Sequence, residues 1–386
     1  MRLAIIVTHP VQYLASIFRE LDRELGLDLK VFFGCDHGSK LSEDSNFNIS
    51  FAWDCQPTEG FVHQFISRAP FKCLVGLSGI RLAFTAVSEV RAFKPDVVLF
   101  FSYLPAFITA STILLRSLGY KLMLRAETTD VALRRSFYKE KLRHVLLTGY
   151  YRQFLHFFPI GTNSVEHYRR MGITDRSLSE VHYAIDVDYF EGQVKRWLPQ
   201  REYLRAEHGI SFDDHVLMFC GKMFQPKNPL LIPDALSKLA EKMKKRIWLL
   251  AVGEGVLRVE FEARTKKQLV NRTLFVGFRN QSELGKYYAI ADTLVLPSRS
   301  GETWGLVVNE ALQFGLRVIV SDRVGSGRDL VRDDETGTIF VSDNANSLAD
   351  SISLAITKRR NIDPNPDKLP HPRLLAEAIV QGLRRI

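Results

Sequence analysis

Two glutamates, Glu302 and Glu310, stand eight residues apart in the stretch LVLPSRSGETWGLVVNEALQFGLRVIVSD, residues 294–322. Glu302 lies in a loop that follows an apolar run ending at Pro297. Glu310 lies on a helical pattern that begins near Gly305 and stops at Gly315. A helix start offers unpaired N–H groups and about half a positive charge to an anion. Carboxylates beside it accept hydrogen bonds from hydroxyls. Either acid alone reads as a first-turn or solvated helix residue; the pair around one helix start suits a ligand both phosphorylated and polyhydroxylated. A second stretch, CGKMFQPKNPL (220–230), places Lys222 and Lys227 in a loop leading into a helix, with Pro229 near its first turn. Two ammonium groups at one helix start can neutralise a diphosphate, although either lysine alone suits a solvated loop. In VGEGVLRVEFEA (252–263), Gly253 and Gly255 follow a strand, but position 258 is Arg, so the G-x-G-x-x-G dinucleotide pattern is absent. FVGFRNQSELGKYYAIADTLVLPS (275–298) then supplies a strand, a turn and a helix leading into the Glu302 loop.

These loops need strands behind them. Strand patterns fall at 3–7, 29–33, 97–101, 121–124, 158–160, 216–220, 248–252, 274–276, 293–296 and 317–320, with helical patterns between most of them. That alternation specifies an α/β chain with doubly wound parallel sheets. The rhythm breaks at DVDYFEGQVKRWLPQ (186–200), read as a polar linker. The expected domains are 1–190, 191–360, and 361–386 as a linker with a terminal helix over 373–385 that docks back. KRRNIDPNPDKLPHP (358–372) reads as extended. Two such domains leave a cleft, and ligands bind outside the carboxyl ends of the strands.

Composition narrows the class. At 46% apolar residues the 386-residue chain fills sizeable cores. The net charge of +9 attracts anions, yet no nucleic-acid motif accompanies it, so nucleic acid is not an expected partner. Cys35, Cys55, Cys73 and Cys220 are too few and too scattered for a disulfide framework or a zinc knuckle. MRLAIIVTHPVQYL reads as a first strand and turn rather than a secretory signal. Residues 97–115 hold no charge, but Pro105 and several hydroxyl residues divide them into a strand, a loop and a helix rather than a membrane span.

The motifs of residues 216–340 resemble the nucleotide-sugar domain of glycosyltransferase family 4, retaining enzymes with the GT-B fold. The likeness rests on G-K-x4-K-N, V-G-E-G, F-V-G-F, Y-Y-A-I-A-D-T-L-V-L-P-S and E-x7-E in order. FPIGTNSVEHYRRMGI with YAIDVDYF (158–190) is similar to the end of that family's N-terminal domain, and THPVQYL (8–14) to an opening in some bacterial members. The resemblance implies that Glu310 binds the nucleotide ribose and Glu302 the donor-sugar hydroxyls. Lys222 and Lys227, with Gly221 and backbone N–H groups from Thr303, Trp304, Gly305 and Leu306, would hold the diphosphate. Gly277, Phe278 and Arg279 would border the nucleobase. Lys222 stands where the family usually has Arg, losing the bidentate fork. Trp304 stands where Phe is common. The implied reaction moves a sugar from a UDP- or GDP-linked donor to a hydroxyl of a glycan or lipid-linked acceptor, as in cell-surface polysaccharide or glycolipid synthesis. It needs no metal and no cofactor, and proceeds by displacement on one face. A nucleotide-sugar epimerase or hydrolase on the same fold is the alternative.

Specificity belongs to the N-terminal half. His9 follows the first strand, and Glu127 and Asp130 follow another in LRAETTD (124–130); all three are acceptor-side or catalytic candidates. Between Arg134 and Arg152, basic residues interleave with Phe137, Tyr138, Tyr150 and Tyr151. Such a helix suits an anionic membrane surface, and equally a solvated face over a buried aromatic stripe. The expected location is cytoplasmic, with the inner face of the cell membrane as a possible seat.

Overall fold

The computed structural model describes residues 1–24, 26–38, 42–44, 49–51, 57–131, 136–332, 335–358 and 369–386. Two parallel sheets of six strands carry it. The first contains β1 (Arg2–Val7), β2 (Asp28–Phe33), β5 (His63–Phe65), β6 (Val97–Phe100), β7 (Lys121–Ala126) and β8 (His156–Pro159). β3 (Ser42–Asp44) and β4 (Ile49–Phe51) form a small antiparallel ladder outside it. The second contains β9 (His215–Cys220), β10 (Ile247–Val252), β11 (Thr273–Gly277), β12 (Thr293–Leu296), β13 (Arg317–Ser321) and β14 (Gly337–Phe340).

Both sheets share one topology. Their strand orders are β5-β2-β1-β6-β7-β8 and β11-β10-β9-β12-β13-β14. Each winds outward from its first strand and then reverses, so the switch points lie between β1 and β6 and between β9 and β12. The central strands are continuous apolar runs because helices cover both faces. In register, Ile5 faces Val31 on one side and Leu99 on the other, all buried. The helix Gln12–Arg23 buries Leu14, Ile17, Phe18 and Leu21 on one stripe. Phe18 meets Phe33, Phe61 and Phe101 edge-on, which seats this helix against the sheet.

Every internal strand falls within two residues of its sequence pattern, and the chain folds as an α/β protein. β5 and β14 were not expected. Each is an edge strand with polar or half-exposed positions, so neither shows the apolar run that marks a buried strand. The stretch read as a polar linker is instead largely the helix Val187–Trp197, and a boundary at residue 190 falls inside it. Asp186 caps it by accepting from the Tyr189 N–H at 3.2 Å, and pairs with Arg19 at 2.6 Å. The polar residues of DVDYF are therefore cap and first turn. This helix packs on the helix Gln281–Ile290 and so belongs with the second sheet.

Residues 359–368 of the expected extended linker lie outside the described residues. The final helix, Pro372–Arg384, returns to the N-terminal domain and packs on Gln12–Arg23. Gly382 permits that approach, since a Cβ there would lie 2.7 Å from the Phe158 ring. Residues 97–115 resolve into β6 and the helix Ala106–Ser117, and among the described residues no helix is long and apolar enough to cross a membrane. Cys35, Cys73 and Cys220 are free thiols; Cys55 lies outside the described residues. Of the basic segment, Arg134 and Arg135 lie outside the described residues. The helix Phe137–Tyr151 buries Leu147 and Tyr151 but exposes Phe137, Tyr138, Leu142, Val145 and Leu146 beside Lys139 and Lys141.

Candidate active site

The loops after β9, β10 and β11 interlock through their backbones. Gly221 N–H donates to Val252 O at 3.0 Å, Met223 N–H to Glu254 O at 2.8 Å, and Gly253 N–H to Gly277 O at 2.8 Å. Gly253 has φ of 129°, and a Cβ on it would run into the Gly221 carbonyl. V-G-E-G is thus a packing solution that sets the β9 loop in place. After Gly221 comes the half-buried Lys222, then a 3₁₀ turn, Gln225–Lys227. Asn228 takes a left-handed conformation, φ 52°, before the helix Leu231–Leu236, so Pro229 lies just outside that helix.

Across the switch point, the β12 loop brings Glu302 to Lys227. The Lys227 ammonium pairs with Glu302 Oε2, and the buried Ser298 Oγ donates to the same oxygen at 2.9 Å. The backbone of Gly325 and Ser326 supports this loop from behind, donating to Glu302 O at 3.1 Å and Trp304 O at 2.9 Å. Gly325 must be glycine, because a Cβ would meet the Thr303 carbonyl. Gly305 (φ 92°) and Leu306 then lead into the helix Val307–Gln313.

Glu310 on that helix is 1% exposed. Each oxygen accepts from a tyrosine: Tyr13 to Oε1 and Tyr288 to Oε2, both at 2.6 Å. Burial raises the Glu310 pKa, and the two hydroxyls offset only part of that rise. Burial and the adjacent carboxylate push both tyrosines well above their ordinary value. Tyr288 stacks on Phe314 within its own domain, whereas Tyr13 reaches over from the N-terminal domain.

At the end of β11, Gly277 (φ 78°) faces Glu254, and Phe278 follows it. Arg279 lies over the Tyr287 ring and donates to Glu283 at 3.1 Å. The Trp304 indole is 2% exposed, donates to Asn309 Oδ1 at 2.9 Å, and turns towards Gly161 of the N-terminal domain. Its side chain is an interdomain contact.

The N-terminal candidates separate. Glu127 bridges the domains: one oxygen accepts from Arg125 at 3.0 Å and the other from Thr303 Oγ1 at 3.1 Å. The Arg125 guanidinium is buried between the Phe101 and Tyr183 rings. Asp130 instead joins an internal network of His167 (2.9 Å), Arg143 (2.8 Å) and Arg170 (2.7 Å). Burial opposes its ionisation, but these partners outweigh burial and hold its pKa at about 2. His9 touches Thr8, His37 and Phe71, and burial lowers its pKa to about 4, leaving a neutral imidazole at pH 7.

The structure therefore gathers Lys227, Glu302, Thr303 and Glu127, and sets Glu310 beside Tyr13. His9 and Asp130 have other partners. Tyr13 and Tyr288 stand in the motifs THPVQYL and Y-Y-A-I-A-D, where nothing in the sequence assigns either a role. Both tyrosines are visible in Q-Y-L and Y-Y-A, but a contact 297 residues apart leaves no local signal.

Residues 200–368 match the family model of glycosyl transferases group 1. A D-inositol 3-phosphate glycosyltransferase of Mycobacteroides abscessus is 28% identical over 186 residues, 46% of this chain and 39% of that protein. The chain spans about two-fifths or less of the length of the curated relatives it matches. Across its whole length the fold is similar to that of Anabaena HepE, solved with UDP and glucose, at a TM-score of 0.71 and 15% identity, covering 100% of both chains. It is also similar to a UDP-GlcNAc 2-epimerase of Methanocaldococcus jannaschii, at 0.60 and 16%, again covering 100% of both. The fold is the GT-B arrangement of two doubly wound domains.

Proposed function

We propose that the protein is a retaining, metal-independent glycosyltransferase that moves a sugar from a nucleoside diphosphate sugar to a hydroxyl of a glycan or lipid-linked acceptor. One observation carries this reading: the switch point of the second sheet joins Lys227 to Glu302 beside the Lys222 loop, with the buried Glu310 on the following helix. Cations next to carboxylates at such a point suit a ligand with phosphates at one end and hydroxyls at the other. Lys222 and Lys227 stabilise the charge that develops on the diphosphate as its bond to the sugar breaks. Glu302 holds the sugar hydroxyls, Glu310 the ribose, and the Gly277–Arg279 segment borders the base. The acceptor hydroxyl enters on the face the diphosphate leaves, and its proton passes to the departing phosphate oxygen. Glu127, tied to Arg125 and Thr303, stands where an acceptor meets the donor loop.

The acceptor side also bears the outward face of helix Phe137–Tyr151. Tyr138, Leu142, Val145 and Leu146 follow helical spacing, with Lys139 and Lys141 beside them. An apolar stripe flanked by cations suits an anionic membrane surface, which would bring a lipid-linked acceptor to the cleft.

A thermal-shift series with UDP, GDP and ADP and their common sugars tests the donor class. Stabilisation by one nucleoside diphosphate is expected, undiminished by a chelator. Failure of all of them contradicts the reading. The epimerase likeness favours a second reading, since one fold hosts both activities. Incubation with the stabilising nucleotide sugar and no acceptor separates the two: rapid formation of its epimer supports the second.

A further inference from the structure

Glu310 presents a problem that the donor reading does not resolve. Its carboxylate is 1% exposed, and both oxygens are engaged at 2.6 Å. A ribose diol cannot reach it while both tyrosines stay in place. The two are not equivalent. Tyr288 is fully buried, stacks on Phe314 and belongs to the same domain as Glu310. Tyr13 is only half-buried and sits on the first turn of helix Gln12–Arg23, which belongs to the other domain. Of the two partners, Tyr13 is the one whose withdrawal disturbs less of the core around Glu310, since it packs on that core as a partly exposed side chain while Tyr288 lies within it.

We infer that the Tyr13 hydroxyl is a resident stand-in for a ribose hydroxyl, and that nucleotide binding exchanges one for the other on Glu310. The inference rests on the donor reading above. The exchange conserves hydrogen bonds: one O–H donor leaves the carboxylate oxygen and another takes its place. Tyr13 spares a buried carboxylate the cost of an unsatisfied oxygen. Because Tyr13 is carried by the N-terminal domain, ribose occupancy is reported directly to that domain. Tyr13 thus tunes donor affinity from across the cleft, because only a nucleotide with ribose hydroxyls must displace it.

The test is calorimetric titration of the full chain and its Tyr13→Phe variant with UDP and GDP, each beside its 2′,3′-dideoxy counterpart. The ring is retained, so packing is preserved, and a melt checks it. Removing the competing hydroxyl should tighten the bound ribonucleotide about fivefold. The dideoxy compound should gain nothing. In the unaltered chain, the bound ribonucleotide should speed amide exchange in the first turn of Gln12–Arg23. Equal gain for ribo and dideoxy forms, or unchanged or weaker ribonucleotide binding by the variant, overturns the exchange, as does unaltered amide exchange. If neither protein binds any nucleoside diphosphate, the donor reading itself fails and the exchange falls with it.

Discussion

The two halves of the molecule share a strand order but use it differently. In the C-terminal half, the loops at the switch point are locked by glycines and backbone bonds, and charge is placed on that rigid frame: Lys227 on Glu302, with Glu310 behind. In the N-terminal half the corresponding loops carry His9 among aromatic rings, an Arg125–Glu127 pair that reaches across the cleft, and an internal Asp130 network. Topology chooses where a ligand lies, and loop chemistry chooses which ligand. On the proposed function, the C-terminal half is the fixed donor side and the N-terminal half the side that adapts to it.

The largest expected effect breaks the rigid frame. Gly253→Ala forces a side chain into the Gly221 carbonyl at a φ that disfavours it, and should cost about 3 kcal/mol. Gly119→Ala, at φ 87° with open space around it, should cost only about 1 kcal/mol. Paired denaturant melts check the contrast, and equal losses would mean that the β9 and β10 loops are not interlocked.

A pH effect of similar size belongs to the N-terminal half. Burial depresses His9 and His156 to about 4. Their unfolded forms take a proton near 6.5, so between 6.5 and 4 the unfolded state binds more protons and stability falls with acidification. Each contributes up to about 3 kcal/mol of that loss. His156→Gln should flatten the decline across this window in melts at stepped pH. Asp130 works in a lower window: its stabilisation is present above about 4 and is lost as pH falls towards 2.

Smaller effects sharpen the division of labour. Glu127→Gln should lower the transfer rate at least tenfold while leaving nucleotide affinity within a factor of two, read by single-turnover kinetics and titration. An equal loss of nucleotide affinity would move Glu127 to the donor side. Leu142→Glu should cut co-sedimentation with phosphatidylglycerol vesicles about tenfold without altering the nucleotide-induced thermal shift. Unchanged sedimentation would leave the exposed stripe without a membrane role.

The same contrast explains what the sequence made legible. Internal strands such as β1 and β9 are continuous apolar runs, and the loops after β9, β10 and β12 are short motifs in which each residue answers a local demand. Gly253 and Glu302 could be found because their reasons lie within a few residues or one neighbouring loop. β5 and β14 escaped because edge strands need no apolar run, and DVDYFEGQVKRW hid a helix because Asp186 and Asp188 form its cap and first turn. Tyr13 and the Thr303 hydroxyl gain their meaning only when the domains meet, through the contacts of Tyr13 with Glu310 and of Thr303 with Glu127. An interdomain hydrogen bond imposes no periodicity on either segment, so neither stretch announces it.

The central claim is that the second sheet's switch point is a nucleoside diphosphate site read through Glu310. Titration of the full chain and of Glu310→Ala with UDP and GDP tests it most directly. The account predicts saturable binding of one nucleotide by the unaltered protein and at least a hundredfold loss in the variant, with the fold retained by circular dichroism. Equal affinity in both proteins would contradict it.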